Sequence, residues 1–192
     1  MKKGFTLLEL LIVIGIIAIL ATATVLVLNP AELLREARDS QRLSDLDSVK
    51  SAVSLLLATA VATPELDSAP SFDYCGSVYF LHYAGYSSTS PIRSAGTAST
   101  TDGSVAAGRG ISGAGWIKVD FTKATGGSPI PVLPVDPSPA SDRSYVFGCD
   151  STNTTFELDA NLESARYVTK EGADGGNNPV WFEVGTDPGM DL

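Results

Sequence analysis

The first residue in this chain able to do chemistry is Glu9. It sits four residues into an apolar stretch that begins at Phe5 and continues as LLIVIGIIAILATATVLVL, Leu10 to Leu28, 19 residues without a charge. A carboxylate within a bilayer costs about 2.5–3.5 kcal/mol at the centre and less toward the interface. It is retained where a partner neutralises it. The segment shows no such partner, so the counter-charge is expected from another chain; the alternative is a carboxylate snorkelling to the headgroups. Two cysteines, Cys75 and Cys149, form one bridge in an oxidising compartment or stay as two thiols. Near the carboxyl end, Asp174-Gly175-Gly176-Asn177-Asn178 and Asp187-Pro188-Gly189-Met190-Asp191 put oxygen-bearing side chains on tight turns. Such turns suit calcium, with Asp187 and Asp191 as first candidates, but the spacing is not an EF-hand and turns of this kind are common without metal. His82, the single histidine, lies in an aromatic stretch. No nucleophile elbow, Walker loop, dinucleotide fingerprint or zinc spacing occurs, so no enzyme is expected.

The elements that hold these residues can be read in turn. As a helix, the 19-residue run rises roughly 28 Å, close to the hydrocarbon thickness of about 30 Å. A buried core helix seldom runs so long without interruption. A secretory signal is a serious competitor: Lys2 and Lys3 make a basic start, Leu10 to Leu20 an apolar centre, and Ala21-Thr22-Ala23 a small-residue cut site. On that reading the mature chain starts near Thr24 and is soluble. On the third reading the run is a transmembrane helix. Charge bias supports its orientation only thinly, since Lys2 and Lys3 are set against Arg35, Arg38 and Arg42, themselves offset by Glu32, Glu36 and Asp39.

Pro30 follows. Its missing N–H removes a bond to the Leu26 carbonyl and is expected to kink or unwind the helix. Helical pattern resumes at once and ends at Pro64. Leu43, Leu46, Val49, Val53, Leu57 and Ala60 form one apolar face, expected to pack on a head. The charged stretch Arg35 to Asp47 is read as a solvated or subunit-facing surface.

Beyond Pro64 the candidate strands are Val78 to Tyr83, Trp116 to Phe121, Ser144 to Cys149, Thr155 to Leu158 and Val180 to Val184. Ala84 to Gly115 is rich in Gly, Ser and Thr and reads as a long surface loop. PVLPVDPSP, Pro131 to Pro139, forms neither a helix nor a central strand. Residues 1–63 carry six charges of each sign, so the whole formal charge of −9 lies in 64–192. An acidic head argues against an extensive nucleic-acid surface, which needs clustered Lys and Arg.

Lys3-Gly4-Phe5-Thr6-Leu7-Leu8-Glu9-Leu10, running directly into an apolar helix, resembles the prepilin signature of type IV pilins and type II secretion pseudopilins. That signature is a short basic leader ending in Gly, then Phe, then an acidic residue at the fifth position after the cut. The resemblance implies cleavage between Gly4 and Phe5 by a prepilin peptidase, N-methylation of Phe5, and retention of the apolar helix on the mature chain. Cleavage creates an α-amino group at Phe5 with a reference pKa of roughly 7.7–8.0, a cation at neutral pH. In a staggered filament Glu9 of one subunit then meets the Phe5 ammonium of its neighbour, which sets register more than it adds stability.

The resemblance also implies an organisation: leader 1–4, transmembrane and filament-core helix 5–29, amphipathic helix 30–63, and a β-rich head over 64–192. The fold class is α+β, a long N-terminal helix packed on a small antiparallel sheet. A weaker likeness to pilin and pseudopilin heads lies in PVLPVDPSP, Tyr145-Val146-Phe147 and Phe156 to Glu163. It suggests a meander of short strands on the amphipathic helix. The implied partners are other copies or other pilins, the prepilin peptidase, a membrane platform protein with motor ATPases, and lipid before assembly. The implied location is the cytoplasmic membrane, amino end in the cytoplasm, and then a surface filament. No cofactor is implied beyond the calcium that major pseudopilins hold in a carboxyl-terminal loop. A pseudopilin of a secretion system and a minor pilin acting as a tip adhesin or DNA-uptake binder share the same leader.

Overall fold

Thr6 starts the first helix. Its hydroxyl accepts from the Glu9 amide at 3.2 Å, and the Glu9 carboxylate accepts from the Thr6 amide at 3.5 Å. This is a capping box, which satisfies two of the donors that a helix start leaves open. In the computed structural model, which describes residues 4–59, 82–84, 108–113, 115–117, 119–138, 143–150 and 154–189, helix α1 spans Leu7–Leu28 and helix α2 spans Pro30–Thr59. With 22 residues α1 is about 33 Å long, and with 30 residues α2 is about 45 Å.

The expected break is present, one residue earlier than Pro30. Asn29 takes a left-handed conformation, φ 40° and ψ 71°, which Asn tolerates better than most residues. Pro30 becomes the first residue of α2, where its missing N–H is no loss. The Asn29 carbonyl accepts from Glu32 at 2.9 Å and Leu33 at 3.3 Å, starting the new helix. The expected stretch to Thr63 continues past Thr59 into residues outside those described.

In α1 every described side chain is exposed. Helix α2, by contrast, buries Asp39, Arg42, Leu46, Val49, Ala52, Val53 and Leu56. The expected stripe is turned by about one position. Leu46, Val49 and Val53 are in it, Leu43 and Leu57 lie half-buried at its edge, and Ala60 lies outside the described residues. Arg42 stands where the apolar reading placed Leu43.

Four strands form one antiparallel meander in sequence order: β1 His82–Ala84, β2 Tyr145–Asp150, β3 Thr155–Ala160 and β4 Phe182–Gly185. Phe147 pairs with His82 on one side and Leu158 on the other, and Leu158 pairs with Val184. Strand alternation sends Tyr145, Phe147 and Cys149, with Phe156, Leu158 and Ala160, into a core shared with Leu46, Val49, Val53 and Leu56 of α2. The fold is therefore α+β and pilin-like, a long N-terminal helix packed on a small antiparallel sheet. Its opposite face carries Val146, Gly148, Asp150, Glu157, Asp159 and Glu183, and these are buried too. Gly185 marks a close approach, since a Cβ there would strike the Phe156 carbonyl.

Trp116 to Phe121 is not a strand. Its described part makes one isolated bridge, Asp120 with Ser112, beside a second just before it, Gly115 with Gly108, and leads into a 3-10 turn at Phe121–Lys123. Trp116 and Ile117 are both buried, which breaks the alternation that suggested a strand. The reason is the neighbour. The backbone of the segment meets an irregular stretch, Trp116 N–H donating to the Gly108 carbonyl at 3.0 Å and Phe121 N–H to the Ile111 carbonyl at 2.8 Å, while the Trp116 indole N–H donates to the Pro134 carbonyl at 2.8 Å. Most of the Ala84 to Gly115 loop, and Val78 to Leu81 of the first candidate strand, lie outside the described residues.

Candidate functional site

Gly4 and Phe5 precede α1 in non-helical backbone, and Phe5 is 78% exposed. A Cβ on Gly4 would meet nothing within 4 Å. The Gly4–Phe5 bond thus lies exposed just outside a helix. Glu9 lies one turn in. Thr6 gives its carboxylate a neutral hydrogen-bond partner, the hydroxyl lying 3.4 Å from Glu9 Oε2 in addition to the capping box, and supplies no counter-charge. The Thr-Leu-Leu-Glu spacing is a capping-box signature. The signature is visible in the sequence itself.

Residues 1–25 match the family model described as the prokaryotic N-terminal methylation motif. The chain carries a class III prepilin leader. This is the N-terminal methylation motif of type IV pilins and type II secretion pseudopilins, and it marks the chain as a prepilin-peptidase substrate by type. The match ends at residue 25, within α1. No curated protein and no solved structure matches the chain.

A second constellation joins helix α2 to the head. Arg42, fully buried, meets Asp136 through two bonds, Nε to Oδ2 at 2.7 Å and Nη2 to Oδ1 at 3.0 Å. Its Nη1 reaches Asp39 at 2.7 Å and Glu163 at 2.8 Å. Glu163 also takes two bonds from Arg38, at 2.7 and 2.8 Å, and one from Arg143 at 3.0 Å. Asp39 accepts from the amides of Glu163 and Ser164 and from the Ser164 hydroxyl, the last at 2.6 Å. The cluster therefore balances Arg38, Arg42 and Arg143 against Asp39, Asp136 and Glu163.

Its electrostatics follow from the partners. Hydrogen bonds from Arg38, then Arg42, hold Glu163 down at about 2 despite burial. Burial alone would lower the Arg42 guanidinium, but Asp136, Glu163 and Asp39 together raise it above its ordinary value. Nearby, burial first and the Asp45 carboxylate second push the Tyr145 phenol up; Tyr145 donates to Asp45 at 2.8 Å. Burial raises the Glu171 carboxyl, which accepts from the Leu162 amide at 2.8 Å. The stretch read as a solvated surface thus contains two fully buried charges, Asp39 and Arg42. The two-bond pairing of Arg42 with Asp136, its single bonds to Asp39 and Glu163, and the Glu163 and Ser164 amides on Asp39 compensate their desolvation.

The remaining candidates are scattered. Cys149 is buried and disulfide-bonded, and Cys75 lies outside the described residues. His82 contributes backbone pairing on β1. Asp187 is exposed, and Asp191 lies outside the described residues. Asp174 commits its oxygens to the amides of Gly176 at 2.9 Å and Glu183 at 2.7 Å, closing the turn from within. Among the described residues, the three carboxylates whose oxygens lie within 4.8 Å of one another are Glu157, Asp159 and Glu183. Asp187 is not among them.

Proposed function

We propose that this chain is a structural subunit of a type IV pilus-like filament. It is made as a membrane-anchored prepilin, cut after Gly4, N-methylated at Phe5, and polymerised through α1. One observation carries the reading: α1 is exposed along its described length, apolar around its circumference, and interrupted by a single charge at Glu9. Such a helix needs lipid or other helices to cover it. Its 19-residue span Leu7–Val25 matches a bilayer in length. The leader motif supports this reading over a secretory signal of similar composition.

In the filament, neighbouring helices replace the lipid, and the Phe5 ammonium of one subunit takes over Glu9 of the next from Thr6. The head then sits in an oxidising space, where Cys75 and Cys149 form the bridge. Mass spectrometry of the mature amino terminus tests the reading. Methylated Phe5 is expected, and a chain beginning at Thr24 overturns it. Shear-released long filaments containing the chain distinguish a pilus subunit from a secretion pseudopilin.

A further inference from the structure

The head descends along α2 toward the membrane side. Glu163 lies beside Arg42 and Arg38, Ser164 beside Asp39, and the Ala165 amide donates to Glu32 at 2.6 Å. Among the described hydrogen bonds between head and helix, this last lies nearest the start of α2. A 22-residue α1 spans about 33 Å. That fills the hydrocarbon layer of about 30 Å, beyond which the headgroup region continues for roughly 5–7 Å. Glu32 follows Leu28 by four residues, across the Asn29 break and within the first turn of α2. The turn at Ala165 therefore stands at headgroup level when α1 spans the bilayer.

The side chains at that level are unusual for a head of net charge −9 carried in residues 64–192. Arg166 is 67% exposed and Arg35 51%, and Lys170 is exposed as well. Glu32 and Glu36, 22% and 28% exposed, each hold one nitrogen of these guanidinia at 3.3 Å, Glu32 that of Arg35 and Glu36 that of Arg166, while Glu171 is buried; the exposed remainder of both guanidinia and Lys170 face outward. Tyr167 is flanked by Arg166 at 5.4 Å and Lys170 at 5.2 Å from its ring centre. Val168 next to it is 42% exposed, as are Leu33 and Leu34 of α2 at 51% and 62%. An aromatic ring between two cations, beside exposed aliphatic groups at the end of a membrane helix, is the composition of an interfacial anchor.

We infer that the turn 165–170, with Arg35 of α2, is a docking surface for anionic phospholipid headgroups that seats the head on the outer face of the membrane before assembly. Arg166, Lys170 and Arg35 contact lipid phosphates, and Tyr167 and Val168 lie among the headgroups. This surface rests on the membrane-anchored reading of α1. It orients the acidic remainder of the head away from the bilayer, whose charge repels it. Release of the surface then accompanies the subunit's exit from the membrane.

Hydrogen exchange on the full chain in nanodiscs holding one copy each tests this. Discs of phosphatidylcholine alone are compared with discs that contain phosphatidylglycerol. Each basic residue near an anionic surface changes a binding equilibrium about fivefold. Deuterium uptake over 163–171 is therefore expected to slow several-fold in the phosphatidylglycerol discs. The slowing disappears in 0.5 M salt and in the Arg166→Ser, Lys170→Ser double variant. Equal uptake in both discs, or a difference that survives the double variant, overturns the inference while protected α1 amides leave the anchor reading standing. A chain that enters neither disc overturns both. If slowing instead follows the number of copies per disc in both lipids, a second copy occupies the surface and the lipid assignment fails.

Discussion

The guanidinium of Arg42 and the carboxylate of Asp136, 94 residues apart in the chain, face each other through two hydrogen bonds with neither group reaching solvent. The pair pins the proline-rich segment to the helix. Asp39 and Glu163 extend the same clasp to the turn after β3. The junction of helix and head thus depends on charge as well as on apolar burial.

Removing one partner leaves the others buried and uncompensated. Arg42→Met is expected to cost about 3–5 kcal/mol of head stability, read from urea denaturation of the full chain in detergent. Arg42→Lys keeps the charge but loses the two-pronged geometry, and should fall between that variant and the parent. An unchanged midpoint for Arg42→Met would show that the cluster contributes no stability.

Acid should weaken the head in a defined window. Glu163 is lowered in the folded state to about 2 from 4.5. Its contribution is complete above the unfolded value and is lost as pH falls from there toward about 2. The shift corresponds to up to about 3 kcal/mol. Glu171 is raised and works in the opposite sense, costing stability as pH rises through its folded value. Melting temperature should therefore drop between about pH 4.5 and 2, and Glu163→Gln should flatten that drop.

Glu9 has two uses that substitution can separate. Gln retains capping-box geometry but carries no charge. Both Glu9→Gln and Glu9→Val are expected to insert and be processed, and both to fail in filament assembly, because the neighbour's ammonium needs a carboxylate. Thr6→Ala removes the cap, at about 0.5–2 kcal/mol of local helix stability, and should assemble. Sheared-filament yield reads all three, and normal filaments from Glu9→Gln would reduce Glu9 to a helix cap.

Cys149 lies in the aromatic core beside Phe147 and Phe156. Non-reducing peptide mapping should recover one linked peptide containing Cys75 and Cys149. Cys149→Ser should cost on the order of 4 kcal/mol for a loop of about 75 residues. Recovery of two free thiols would refute the pairing.

Residue types and their spacing were enough to reveal the leader, the span Leu10 to Leu28, the helix break beside Pro30 and strands β2 and β3. Each is a local pattern, set by desolvation, backbone restriction or period-two alternation within a few residues. The burial of the charged residues was half legible. Asp39, Arg42, Leu46, Val49, Val53 and Leu56 are one continuous helical stripe in steps of three and four, although its first two members are ions. What admits ions to that stripe is Asp136 and Glu163, which lie 94 and 121 positions from Arg42. Only the folded chain brings those carboxylates to the guanidinium, because a charge's tolerance for burial depends on partners that no local pattern names. Trp116 to Phe121 is the same lesson for the backbone. Its alternation suited a strand, but a strand also needs a neighbour that pairs in register, and the stretch from Gly108 to Ser112 meets it only at isolated points.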